Sequence, residues 1–350
     1  MPTERESKPW TIPYDGRASL DDIFYCFRLL LGRHPNQEEW PGHSSRLGEP
    51  LEAVVGSYVN SLEFARRALS EADASADYAI AKGDGFHLFA SPSDAAVGRH
   101  VLAGGYESEV AAVFRSVLRP GMGVLDIGAN IGYFTMLSAM LVGPAGRVLA
   151  VEPNPGNARM VEASRVLNGF NQVTVLQAGA GRKVGLLALN TSHSNGTTST
   201  LEAKSSSILE ARTVACVPLD RMVPEIGSID LIKIDVEGAE YNALLGCQDI
   251  IRRHRPVIVS EFSPGLIAGI SGVSGEAYLH WLLSLGYDLS AIEVDGSLSA
   301  ANGDPEVIMD TYRRRGTDHI DIIARPRPRR YWRRVCHLIN QHSTIKFGFR

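Results

Sequence analysis

From residue 122 onward the chain alternates short, continuously apolar runs with segments of helical periodicity, and this constrains its fold more than any other feature. The runs "GVLDIG", "RVLAVEP" and "VTVLQAGA" are separated by "YFTMLSAMLVG" and "NARMVEASRVLN". Strands of unbroken Val, Ile and Leu must be buried on both faces, which predicts a parallel sheet with helices on each side. The alternation lapses over "VGLLALN", the polar stretch "NTSHSNGTTSTLEAKSSS" and "RTVACVPL". It resumes with "IDLIKIDVEG", "AEYNALLGCQDIIRRH", "PVIVSEF", "EAYLHWLLSLG", "YDLSAIEV" and "HIDIIAR". There is no internal repeat.

Ahead of this region, residues 20–70 read as helices. "SLDDIFYCFRLLLGR" follows a Ser or Asp cap, Asn36 and Glu39 are spaced as a capping box, and Ser61 opens "SLEFARRAL". Residues 71–82 read as a linker, and a hairpin is expected around "FHLFASPSD".

The loop after the first strand of the alternating region, "VLDIGANIGYFT", decides what the sheet can bind. A dinucleotide fingerprint needs glycines at 128, 130 and 133, and Asn130 and Tyr133 break it. What fits is an acid followed by Gly128, Asn130 and Gly132, with Asn130 able to adopt a left-handed backbone. Asp126 at the strand's end disfavours a pyrophosphate over the helix N-terminus and favours a cation. S-adenosylmethionine, with an ammonium, a sulfonium and no phosphate, is such a ligand. Glu152 ends the next strand, where a carboxylate can hold both ribose hydroxyls, and Gln177 and Ala178 end the third, beside the expected adenine.

"LRPGMGVLDIGANIGYFT", "GRVLAVEPNPGN", "IDLIKIDVEGAEYNALLG" and "PVIVSEF" together resemble the FkbM family of S-adenosylmethionine-dependent methyltransferases over residues 83–325. The resemblance implies a class I methyltransferase (Rossmann-like) α/β fold: a mostly parallel seven-stranded sheet in the order 3-2-1-4-5-7-6, helices on both faces, preceded by the small helical domain. It also implies O-methylation of a hydroxyl on a saccharide or natural product. Asp126, Gly128, Asn130, Gly132 and Glu152 are the implied cofactor contacts, and "GYE" places Glu107 to close over the cofactor. The segments "LLLGRHPNQEEW" and "SYVNSLEF" resemble a small helical domain of unknown function found in bacterial proteins connected with glycans and cell surfaces. Glu39 stands where that family commonly has glycine.

On the acceptor side, Lys233, Asp235 and Glu237 alternate along a strand otherwise expected to be buried, so they should share a face. The alternatives are a structural Lys–carboxylate pair and a catalytic set, and the switch-point location favours the second. Asp235 is the first candidate for the base that takes the acceptor's proton, followed by Glu237, with Glu261 outside them and Lys233 orienting the acid. No metal is expected: these motifs hold no histidine, which leaves a bridge between Asp235 and Glu261 only as an alternative. The polar stretch 190–207 reads as either a substrate-facing lid or a disordered loop, with His193 a solvated residue.

Composition sets the remaining bounds. Four scattered cysteines, an N-terminus without an apolar h-region and the lack of a ~20-residue apolar run predict a soluble cytoplasmic protein. The net charge of -4 divides into +9 from Arg313 to Arg350 and -13 elsewhere, so the body should repel nucleic acid. The expected partner is a small-molecule or saccharide acceptor. The basic tail, 326–350, with "YWRRVCHLI" in it, is either a solvated segment or one able to lie on an anionic membrane. A catalytically inactive scaffold in glycan assembly is the alternative function, and residues 1–19 read as a flexible N-terminus.

Overall fold

A computed structural model describes residues 15–66, 78–190, 197–200, 212–222 and 227–328. Within it the chain divides into two compact units, residues 1–77 and 78–350. The basic tail from 329, Cys336, His193 and most of the 190–207 stretch lie outside the described residues. Among the described residues no helix is long and apolar enough to cross a membrane.

The first unit is built on helices that its caps predict. Ser19 and Asp22 exchange hydrogen bonds as a capping box ahead of the helix Leu20–Tyr25, which widens into a π-turn over Cys26–Leu31 and stops at left-handed Gly32. Asn36 Oδ1 accepts from the backbone N–H of Glu39 at 2.8 Å while Glu39 Oε1 accepts from Asn36 N–H at 2.7 Å. Glu39 has an ordinary right-handed backbone (φ -85°), so this turn does not need a glycine at that position. Its carboxylate also holds Arg33, which pairs in turn with Glu63. Ile23, Phe27, Val54 and Tyr58 form the small core.

The second unit opens with a hairpin of β1 (Ala79–Gly83) and β2 (Phe86–Ala90). It lies earlier than the "FHLFASPSD" expectation because Asp84 and Gly85 (φ +88°) supply the turn, and its first strand falls inside the stretch read as linker. The main sheet contains β3 (Gly123–Ile127), β4 (Arg147–Val151), β5 (Val173–Leu176), β10 (Leu231–Ile234), β11 (Val257–Phe262), β12 (Tyr287–Ile292), β13 (Leu298–Ala300) and β14 (Ile320–Pro326). Its order is β13-β12-β14-β11-β10-β3-β4-β5. Seven of these reproduce the expected 3-2-1-4-5-7-6 arrangement; β13 is an eighth, folded back onto β12 by the turn at Gly296 (φ +79°). In sheet order the strands from β5 to β11 are parallel, β14 runs against them, and β12, antiparallel to β14, runs in their direction again.

A second sheet, β6-β9-β7-β8, uses β6 (Gly179–Ala180), β7 (Gly185–Asn190), β8 (Thr197–Thr200) and β9 (Arg212–Val217). "VTVLQAGA" is therefore not one strand. The chain turns at Leu176, whose carbonyl accepts from Ala178 N–H at 3.0 Å, and Gly179 starts the second sheet. The main sheet's core packs on both faces: Leu125, Ile127, Ile232 and Ile234 on one, Val124, Ala150, Leu231 and Val259 on the other.

Candidate active site

The glycine loop is shaped by backbone that few residues tolerate. Gly128 (φ +79°), Asn130 (φ +51°) and Gly132 (φ +96°) are all left-handed, and Gly132 starts the helix Tyr133–Val142. The Asn130 side chain accepts from Ile131 N–H at 2.8 Å, the local hydrogen bond by which asparagine stabilises this conformation.

Asp126 is fully enclosed at the tip of β3. Its Oδ2 accepts from Thr135 Oγ1 at 2.5 Å, while its Oδ1 is buried with no partner. Burial raises its carboxyl, and Lys233 and Thr135 oppose the rise. The acid expected to face a cationic ligand is thus held behind the loop, tied to the helix that follows it. Glu152 is 4% exposed, and each oxygen accepts one backbone N–H at 2.8 Å, from Asn130 and Asn154. Burial pushes this carboxyl up to about 8 despite those donors. Gln177 is exposed and Ala178 buried, both just beyond β5.

These residues fit S-adenosylmethionine on two observations. The enclosed Asp126 Oδ1 has no partner among the described residues, and Glu152, which accepts two backbone N–H groups and the Asn157 amide, keeps a lone pair for a ligand donor.

On the other side of β3, Lys233 lies in β10 opposite Asp126, 5% exposed, with its ammonium 2.9 Å from Asp235 Oδ2 and over the Phe134 ring at 4.9 Å. Burial would lower this ammonium, but Asp235, Glu107 and Asp126 outweigh it and raise it. The expected alternation along one strand is corrected here. β10 ends at Ile234, and the chain then turns: Glu240 Oε1 accepts from Val236 and Gly238 N–H, both at 3.1 Å, and Glu237 is left-handed (φ +53°). Asp235 still donates its N–H to Ile127 at 3.0 Å, so it sits at the tip of the sheet and not within it.

The tip carries further acids. Asp235, Glu237 and Glu261 each bring a carboxylate oxygen within 4.8 Å of the others. Burial and Asp235 push Glu261 up to about 12, so it keeps its proton and hydrogen-bonds Asp235. Burial works against the Asp235 charge, but Lys233 and that bond hold its carboxyl below the usual range. The cluster's charge is therefore met by an ammonium and a shared proton. Glu107, left-handed (φ +41°) at the start of the helix Ser108–Val117, also faces it, raised by burial and hydrogen-bonded to Tyr106.

Sequence reasoning missed three members. Glu240 shapes the turn, Asp321 pairs opposite Glu261 in β14 and is raised to about 7 by burial, and His319 lies just before it. The only sequence signal was the alternation in "DHID" at a strand start.

Residues 126–289 match the family profile described as "Methyltransferase FkbM domain". A protein named Methyltransferase 1 from Beauveria bassiana is 28% identical over 146 residues, covering 36% of this chain and 58% of that protein. A protein-L-isoaspartate O-methyltransferase from Aeropyrum pernix is 42% identical over 65 residues, covering 19% of this chain and 25% of the other. The chain thus spans little more than half of one relative's length and a quarter of the other's. Among solved structures, a methyltransferase FkbM from Methylobacillus flagellatus KT is similar with a TM-score of 0.37 at 15% identity, over 64% of this chain and 51% of that one.

Proposed function

Residues 126–289 form a methyltransferase domain of the FkbM family, whose cofactor is S-adenosylmethionine, and from that premise we propose that this chain methylates a hydroxyl oxygen on a saccharide or related natural product. When bound, S-adenosylmethionine supplies an electrophilic methyl group. The glycine loop and Glu152 would hold it, with Asp126 fixing the loop through Thr135.

The observation that carries the reading is the position of Asp235. Its backbone bonds to Ile127 at the end of β3, which places a carboxylate at the switch point, beside the glycine loop. That carboxylate is 31% exposed on its side chain, reachable by an acceptor, while Lys233 beneath it is closed off. An alcohol is a poor nucleophile until its proton has somewhere to go, and much of the remaining barrier is met by alignment. Asp235 is the acceptor for that proton, Lys233 fixes its orientation, and Glu237 and Glu107 flank it.

Incubation with methyl-labelled S-adenosylmethionine and fractionated cell extract tests the proposal: label should enter a hydroxyl-bearing product. Asp235→Asn should slow this about a hundredfold or more while cofactor binding persists. A wild-type protein that binds no cofactor in calorimetry would support the scaffold reading instead.

A further inference from the structure

His319 lies where a proton could leave the site. Because β14 runs against β11, its start shares an edge of the sheet with the ends of β10 and β11, and His319 precedes it directly. His319 Nδ1 is 3.6 Å from Glu261 Oε1 and 2.8 Å from Asp318 Oδ1. Side-chain exposure rises along this line: 11% for Glu261, 47% for His319, 90% for Asp318. At its inner end Glu261 is hydrogen-bonded to Asp235. The groups facing His319 are all acids: Asp318 on its own turn, Glu261 from β11, Asp321 from β14, Asp235 after β10, and Glu107.

Methylating a hydroxyl leaves a proton behind. As the oxygen–carbon bond forms and the carbon–sulfur bond breaks, the sulfonium charge is lost and the hydroxyl proton must be taken up. Asp235 and Glu261 already share one proton against Lys233. A second would neutralise both carboxyls and remove the counter-charge nearest the buried ammonium, which is costly.

We infer that Glu261 and His319 form the path by which that proton passes from Asp235 to solvent. The inference rests on the reading of Asp235 as proton acceptor. Asp235 takes the hydroxyl proton. With its other nitrogen carrying the ring's own proton, His319 takes the Glu261 proton on Nδ1 and then passes it to Asp318, and water collects it from that exposed carboxylate. The proton on Asp235 is then the one shared with Glu261, and every group is back in its starting state. The 3.6 Å gap closes by side-chain rotation; catalytic hydrogen bonds are often long before ligands bind.

Two measurements test this. Infrared spectra of the unliganded protein at neutral pH should show protonated-carboxyl carbonyl absorption, shared with Glu152, Glu240 and Asp321, of which Glu261→Gln removes one component; an unchanged carbonyl region in that variant overturns the path without reference to turnover. With methyl-labelled cofactor and the acceptor-bearing fraction, His319→Gln should slow transfer roughly tenfold, less than loss of the base itself, and added imidazole should restore it. Asp318→Asn should act in the same direction more weakly. If Asp235→Asn slows transfer but His319→Gln changes neither rate nor imidazole response, the path falls while the methyltransferase reading stands. Transfer abolished by a chelator and restored by a divalent cation would also overturn it.

Discussion

A methyl group added to Gly128 would lie 1.8 Å from the backbone carbonyl oxygen of Asp235. The glycine loop and the loop that carries the acceptor-side acid are therefore locked together by the absence of one side chain. This contact keeps the Asp235 carboxylate beside the loop that holds the cofactor.

Gly128→Ala should disrupt both functions. The clash is with backbone, which cannot swing aside, and φ of +79° adds strain of about 1–3 kcal/mol. We expect a lower thermal midpoint together with loss of cofactor binding in calorimetry. Unchanged affinity would show that the two loops move independently.

Lys233→Met should destabilise the fold by roughly 3 kcal/mol in urea denaturation, at the lower end for broken buried pairs because Asp235 keeps some solvent contact. The same change in an Asp235→Asn background should cost clearly less, since the stranded charge is gone. Equal costs in both backgrounds would mean that the two residues are not coupled.

Glu240 predicts a pH dependence. Its carboxyl is 1% exposed and burial raises it from 4.5 to about 7, against the backbone donors it accepts. A raised carboxyl contributes stability that is fully present below the unfolded value and is lost as pH rises through the folded one. Glu152, raised to about 8, and Asp321, raised to about 7, add in the same direction. Stability should therefore fall between pH 5 and pH 8. Glu240→Gln keeps one acceptor oxygen for both N–H groups and puts its amide where Oε2 has no partner. It should flatten the profile, gaining about 2–3 kcal/mol at pH 8 relative to pH 5. Parallel pH profiles for variant and wild type would contradict the assignment.

Thr135→Val removes the 2.5 Å hydrogen bond to the enclosed Asp126 carboxylate at little change in volume. Leaving that acid without this donor should cost about 1.5–3 kcal/mol of stability. Because Asp126 anchors the start of the loop and Thr135 the helix after it, cofactor affinity should fall on the order of tenfold. Isothermal titration alongside thermal unfolding separates the two effects.

Much of this architecture was legible in the chain. The apolar runs beginning at Val124, Val148, Leu231 and Val257 gave the parallel core, since no other arrangement buries both faces of such strands. Ser19, Asn36 and Ser61 announced helix starts, because each side-chain oxygen accepts a backbone N–H nearby. Local hydrogen bonds need only local sequence. Where the reading slipped, a residue outside the window intervened: Glu240 reaches back to end β10 before Asp235, and the Asp84–Gly85 turn moved the hairpin forward.

The sequence by itself determined the order of strands and helices, the left-handed glycine loop and the presence of acids at strand ends, because those follow from periodicity and backbone preference. Only the tertiary structure decided which charges meet. Glu107, Asp126, Lys233, Asp235, Glu261, His319 and Asp321 come from five separate segments, and their protonation depends on burial and through-space distance, neither of which is encoded in spacing along the chain.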